Sequence, residues 1–205
     1  LERKIFNDVC DFIISRSSLI LYSSEILSKL DVLSNFATIA IENNYIKPKI
    51  DNSIKLNIKK SRHPMVEEII ESGKFVSNDV IIDDLSQQII LLTGPNMSGK
   101  STYIRQVGIL TLMAQIGCYI PAKSAEIGIV DRIFTRVGLE DDLSEGRSTF
   151  MTEMLETALI LKEATKRSLI ILDEIGRGTS TYDGLAIAMS VAEFIHEDHN
   201  MKSRT

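Results

Sequence analysis

Apolar positions along the chain change their period several times, and each period predicts an element. From Leu1 to about Ser28 they fall every third or fourth residue, at Ile5, Val9, Phe12, Leu19, Ile26 and Leu30, which is the spacing of a helical face. The serines at 15, 17, 18, 23 and 24 lower helix propensity there without breaking the period. Asp31 is a candidate N-cap for a second helix over 32–43, with Leu33, Phe36, Ala37 and Ala40 on one side, ended by Asn43, Asn44 and Pro48. This helical pair reads as a separate lever-like domain or as packing helices on a sheet. Residues 54–58 alternate apolar and polar, a half-exposed strand. Residues 66–72 form a short helix or turn, and 75–82 an extended segment with a turn. The run 88–92 is a short buried strand, and residues 103–116 carry Ile104, Val107, Leu110, Met113 and Ala114 at helical spacing. Beyond them 118–121 and 125–127 look extended, 132–137 is a strand ended by Gly138, and 139–147 is a polar loop. A helix then opens at Ser148 and Thr149 and runs to Lys166. A strand follows over 168–174, then a glycine-rich turn over 176–180 and a last helix over 182–197. Strands alternating with helices predict an α/β fold with a mostly parallel sheet covered on both faces, and a ligand at the carboxyl ends of its strands.

Composition changes this picture little. Charged residues at 25% and hydrophobic ones at 44% are those of an ordinary globular protein, and a net charge of −5 does not advertise a nucleic-acid surface. Cys10 and Cys118 are far apart and lack metal-ligand spacing, so both are expected to be reduced thiols. No apolar run is long enough for a membrane span, and no signal peptide is evident. The chain opens inside an amphipathic pattern without an initiating methionine, and it is expected to be a piece of a larger protein.

Candidate chemistry lies where the 88–92 strand meets the helix after it. Gly94-Pro95-Asn96-Met97-Ser98-Gly99-Lys100-Ser101-Thr102 fits the phosphate-loop pattern. Gly94 and Gly99 permit a backbone path that turns several N–H groups toward one point. With the following helix N-terminus they make an anion site for β- and γ-phosphates. Lys100 adds positive charge at the same oxygens, and Ser101 offers a hydroxyl to Mg²⁺. A second feature fits the first: the apolar strand 168–172 ends in Asp173 and Glu174. Asp173 is placed to hold Mg²⁺ beside the phosphate loop, and Glu174 to orient or deprotonate an attacking water. Other residues read blandly. His63 before Pro64 is a hydrogen-bonded turn residue, Asp141 and Asp142 form a solvated acidic loop, and Arg132 and Arg136 are structural. Phe75 is a core residue or an aromatic platform for a base.

The phosphate loop, the stretch Gly146-Arg147-Ser148-Thr149-Phe150-Met151-Thr152-Glu153-Met154, and the stretch from Leu172-Asp173-Glu174-Ile175-Gly176-Arg177-Gly178 to Gly184 together resemble the MutS family of DNA mismatch-repair ATPases. With Tyr119-Ile120-Pro121-Ala122 and the strand 132–136, the likeness covers nearly all of residues 60–195, and the last two long motifs are very specific. The resemblance implies an α/β phosphate-loop NTPase of the ABC-ATPase type. Its mixed, mostly parallel sheet would be flanked by helices, with residues 1–48 as a helical lever or connector and 49–205 as an ATPase domain truncated at its C-terminus. It implies ATP and Mg²⁺ as ligands. The whole loop from Gly94 to Thr102 would hold the nucleotide, with Lys100 binding phosphate and Asn96 contacting phosphate or shaping the site. Ser101 and Asp173 would hold the metal, Glu174 the water, and Phe75 would stack on adenine. Ser148 would act in trans on nucleotide bound by a partner subunit, where a helix N-terminus favours an anion.

The partners implied are a second copy or a paralogue, mismatched duplex DNA held by other domains, and a MutL-like repair protein, with no membrane. The implied location is cytoplasmic in a prokaryote or nuclear in a eukaryote, not secreted. The family's switch histidine falls beyond Thr205, so hydrolysis by residues 1–205 alone is expected to be weak. Three rivals stand beside this reading. An ABC transporter or chromosome-structural ATPase should carry an LSGGQ-like signature, which residues 145–150 are not. A small-molecule kinase should carry an arginine-bearing lid. A MutS-like recombination relative would use ATP only to clamp, and the intact Lys100, Asp173 and Glu174 argue against a dead site.

Overall fold

A computed structural model describes residues 1–70, 73–83, 86–95, 97–137, 149–197 and 204–205. The chain divides into two compact units, Leu1–Asn44 and Tyr45–Thr205. The first holds two helices, α1 (Glu2–Ser15) and α2 (Ser17–Glu42). The break falls at Arg16, not at Asp31. Arg16 leaves the helical region at φ −116°, ψ 6°, where Ser15 and Ser17 on either side are poor helix formers. Asp31 continues inside α2, where its carboxylate accepts a hydrogen bond from Asn35 one turn later. The predicted apolar stripe is present but lies exposed: Ile5, Phe12, Leu19 and Leu30 all stay open to solvent.

The second unit contains α3 (Pro64–Ile69), α4 (Lys100–Gln115), α5 (Thr149–Glu163) and α6 (Thr181–Glu197) among its described residues. Its strands are β1 (Lys49–Asp51), β2 (Leu56–Ser61), β3 (Asn78–Ile82), β4 (Ser124–Gly128), β5 (Ile133–Arg136) and β6 (Leu169–Leu172). They form a four-stranded sheet in the order β1-β4-β2-β3 and a two-stranded sheet β5-β6. The first sheet is not mostly parallel. Only β1 and β4 run together, while β2 is antiparallel to both β3 and β4. The sixteen residues between β2 and β3 hold, among those described, only the six-residue α3 and bring the chain back beside β2 in the opposite direction. The β5–β6 pair is parallel, as expected.

Side-chain alternation explains how β6 joins two cores. Leu169 and Ile171 point into a cluster with Leu56, Ile58, Val80, Ile127 and the Val107–Leu110–Ala114 stripe of α4. Ile170, on the opposite face, packs with Ile160 of α5 and with Val191 and Ile195 of α6. A strand covered on both faces has no polar side, which is why it reads as an unbroken aliphatic run.

The predicted strand over 88–92 is realised only in part. Ile90 N–H donates to Thr205 O at 2.8 Å and Thr205 N–H to Gln88 O at 3.1 Å, while Ile170 N–H donates to Arg204 O at 2.7 Å. Arg204 and Thr205 thus lie between β6 and residues 88–90. Leu91, the next residue, is 77% exposed. Cys10 and Cys118 are both free, as expected, and burial pushes the Cys118 thiol up. No helix among the described residues is long and apolar enough to cross a membrane.

Candidate functional site

The glycine loop takes its form from backbone positions that side chains resist. Gly94 sits at φ 145° and Gly99 at φ 90°, and Gly99 is the left-handed N-cap from which α4 starts at Lys100. The helix therefore begins three residues earlier than its apolar period indicates, because Lys100, Ser101 and Thr102 supply a first turn with no apolar residue. Met97, at φ 64°, holds its side chain fully in solvent at the crest of the loop. Lys100 Nζ turns back and donates to Gly94 O at 2.7 Å and Pro95 O at 2.8 Å. The loop is thus drawn together around a cation.

Asp173 and Glu174 follow directly on β6. Asp173 N–H donates to Arg136 O at 2.7 Å, which extends the β5–β6 ladder by one step and fixes Asp173 at the strand's carboxyl end. Glu174 then turns sharply, with φ 56°. Its carboxylate pairs with Arg177 Nη1 at 2.6 Å on an exposed surface, a contact worth about 0–1 kcal/mol. Lys100, Asp173 and Glu174 line one cavity of about 350 Å³, whose other walls include Leu92, Tyr103 and Leu172. The structure therefore brings together the lysine of one predicted motif and both acids of the other.

Surrounding contacts hold this arrangement. Tyr103 of α4 donates its hydroxyl to Asp79 O at 3.0 Å, which ties the helix after the loop to β3. Burial, with the charge of Asp79, raises the Tyr103 phenol above its ordinary value, so it stays a donor. The Asp79 carboxylate accepts Lys60 N–H at 2.8 Å, and that bond holds it below the usual carboxylate range. Gln106 of α4 donates to Ser61 Oγ at 2.7 Å, and Ser61 in turn donates to Asn78 O at 2.6 Å, a buried polar chain beneath the helix. Arg132 and Arg136 are structural, paired with Glu163 and Glu156 of α5.

Other predicted residues fare differently. Phe75 is half buried, belongs to neither buried cluster and does not line the cavity. Asn96, Ser148, Asp141 and Asp142 lie outside the described residues. Ser101 and Thr102 are half buried in the first turn of α4. Sequence reasoning gave Glu153 no role, although its carboxylate is buried and accepts Gly176 N–H at 2.6 Å. A hydrogen bond to a charged group is worth about 1.5–3 kcal/mol, more than the exposed Arg177 pair. The sequence does not single it out, because α5 also carries Glu156 and Glu163, and only burial sets Glu153 apart.

Comparison with known proteins places this geometry. The MutS domain V family profile matches residues 90–205, from the entry to the glycine loop through both acids. The chain belongs to the MutS domain V family. Relatives of MutS domain V are correspondingly close. The DNA mismatch repair protein MutS of Clostridium botulinum is 53% identical over all 205 residues, and that of Clostridium novyi 54% identical. The chain spans 22% of the first relative and 23% of the second.

Proposed function

We propose that this MutS domain V chain is the ATP-binding and ATP-hydrolysing part of a DNA mismatch-repair protein, with an ABC-type phosphate-loop fold. The observation that carries the reading is the meeting of Lys100, Asp173 and Glu174 on one cavity beside a glycine loop that opens a helix. Residues 94–102 hold the phosphates of ATP, with loop N–H groups and Lys100 as donors. Lys100 must leave the carbonyls of Gly94 and Pro95 to do so, and phosphate oxygens are stronger acceptors for an ammonium than neutral carbonyls.

Among the described residues no group of three or more His, Cys, Asp or Glu side chains could cage a metal ion. The donor set still fits Mg²⁺, which takes one or two protein oxygens and completes its shell with phosphate and water. Ser101 and Asp173 would supply those protein oxygens, and the ion would neutralise charge on the phosphates. Glu174 orients the water and accepts its proton once free of Arg177. Ser148 serves the partner's nucleotide, and Asn96 shapes the loop. Residues 1–48 act as a lever and 49–205 as the ATPase domain, a division supported by the separate compact unit at Leu1–Asn44. Phe75 stacking on adenine remains part of the reading, supported by the resemblance alone.

The test uses the full-length protein. Lys100→Ala should weaken ATP binding itself. Glu174→Gln should keep ATP binding and lower turnover by about a hundredfold or more. Normal turnover in the glutamine variant would remove Glu174 from the chemistry.

A further inference from the structure

The loop after β6 holds its acid in a conformation that needs outside support. Glu174 is left-handed at φ 56°, and a residue with a side chain stays there only where its surroundings enforce it. Arg177, three residues on, is exposed and weak as a restraint. The firm restraints fall on Gly176. On one side Gly176 presses against Gly184 of α6, so closely that an added Cβ would lie 2.5 Å from the Gly184 Cα. On the other side comes Glu153 of α5, 4% exposed, with Oε1 at 2.6 Å from Gly176 N. The first turn of α5 meets the loop again at Phe150, whose Cβ would stand 3.0 Å from a Cβ added to Gly178. A charged carboxylate is a costly way to fill a buried helix position, and a methionine would pack there without the desolvation. What the carboxylate supplies is an acceptor of defined reach.

Resting on the ATPase reading above, we propose that Glu153 is the positioning residue for Glu174. It touches neither nucleotide nor water. It fixes the Gly176 N–H two residues downstream and so sets the turn that aims the Glu174 carboxylate. Because the bond is buried and short, α5 cannot shift without moving the acidic loop or breaking the bond. The position of α5 therefore sets the competence of Glu174.

Two variants of the full-length protein separate reach from charge. Glu153→Gln keeps an acceptor oxygen at the same distance without the charge. Glu153→Asp keeps the charge and withdraws it by one methylene. ATP turnover against substrate concentration and nucleotide affinity by direct titration are measured for both. We expect Glu153→Gln to stay within about threefold of the parent, and Glu153→Asp to lose about tenfold to a hundredfold in kcat with KM and affinity unchanged. Three outcomes overturn the proposal: Glu153→Asp turning over like the parent, Glu153→Gln falling as far as Glu153→Asp, or affinity falling in step with kcat. Failure of the ATPase reading itself shows separately, as absent turnover in the parent or normal turnover in Glu174→Gln.

Discussion

At the scale of single residues, His63 shows what one ring nitrogen can do. It caps α3, its Nδ1 accepting Val66 N–H at 3.4 Å, and only the unprotonated nitrogen can accept. Burial pushes its pKa below the ordinary imidazole value, against a backbone hydrogen bond that raises it and with help from Arg105. In the unfolded chain the ring takes a proton near pH 6.5, and in the fold it does so only at lower pH. Between those two values the unfolded chain binds more protons. The contribution of His63 is therefore complete above about pH 6.5 and is lost as pH falls through the folded value. His63→Asn keeps a capping acceptor that does not titrate. Its denaturant midpoint should fall less between about pH 7 and pH 5 than that of the parent, and an equal fall would clear His63 of the effect. His63 as a bonded turn residue, and the motif positions Gly94, Gly99, Lys100, Asp173 and Glu174, were legible from neighbours in sequence, because local chain geometry or local chemistry decides them. Glu153 was not: its partner Gly176 is a tertiary neighbour, and burial cannot be read from a helix period that leaves an acid on the inside.

Elements obey the same division. β6 and α4 could be read from the chain because each carries its whole pattern within itself. The break at Arg16 and the antiparallel β2–β3 pairing could not, since one depends on which of several serine-rich steps yields and the other on which strand β3 meets across the sheet. The seating of α6 on the acidic loop is likewise invisible in sequence. Gly184 lies in the first turns of that helix, where an added Cβ would come 2.5 Å from the Gly176 carbonyl oxygen. Alanine is the better helix former by about 1 kcal/mol, yet the obstacle is backbone and cannot swing aside. Gly184→Ala should destabilise the protein by about 1–3 kcal/mol in equilibrium denaturation. A stabilised variant would mean that α6 does not rest on the loop this way.

Across the Tyr45–Thr205 unit, one side chain near the end of the chain ties distant segments. Arg204 is buried, and its guanidinium donates to Gly128 O at 2.9 Å, Ile129 O at 3.0 Å and Arg167 O at 2.8 Å. Burial lowers its pKa to about 10, so it stays cationic at neutral pH. Arg204→Met would fill the space and take a donor from three carbonyls, of which Arg167 O keeps the longer bond from Asp131 N–H at 3.4 Å, at about 1–3 kcal/mol for each left bare that water cannot reach. A loss of roughly 3 kcal/mol or more in chemical denaturation is expected, and an unchanged midpoint would show those carbonyls solvated. The backbone of the same two residues, Arg204 and Thr205, bonds Gln88 and Ile90 to β6. A ribosome delivers these partners far apart in time. Residues 88–92 leave it long before Thr205 is made, and until then Ile89-Ile90-Leu91-Leu92 is a nascent aliphatic edge with open backbone donors, the kind of stretch that chaperones must shield. The approach to the glycine loop can set into place only after Arg204 and Thr205 have emerged.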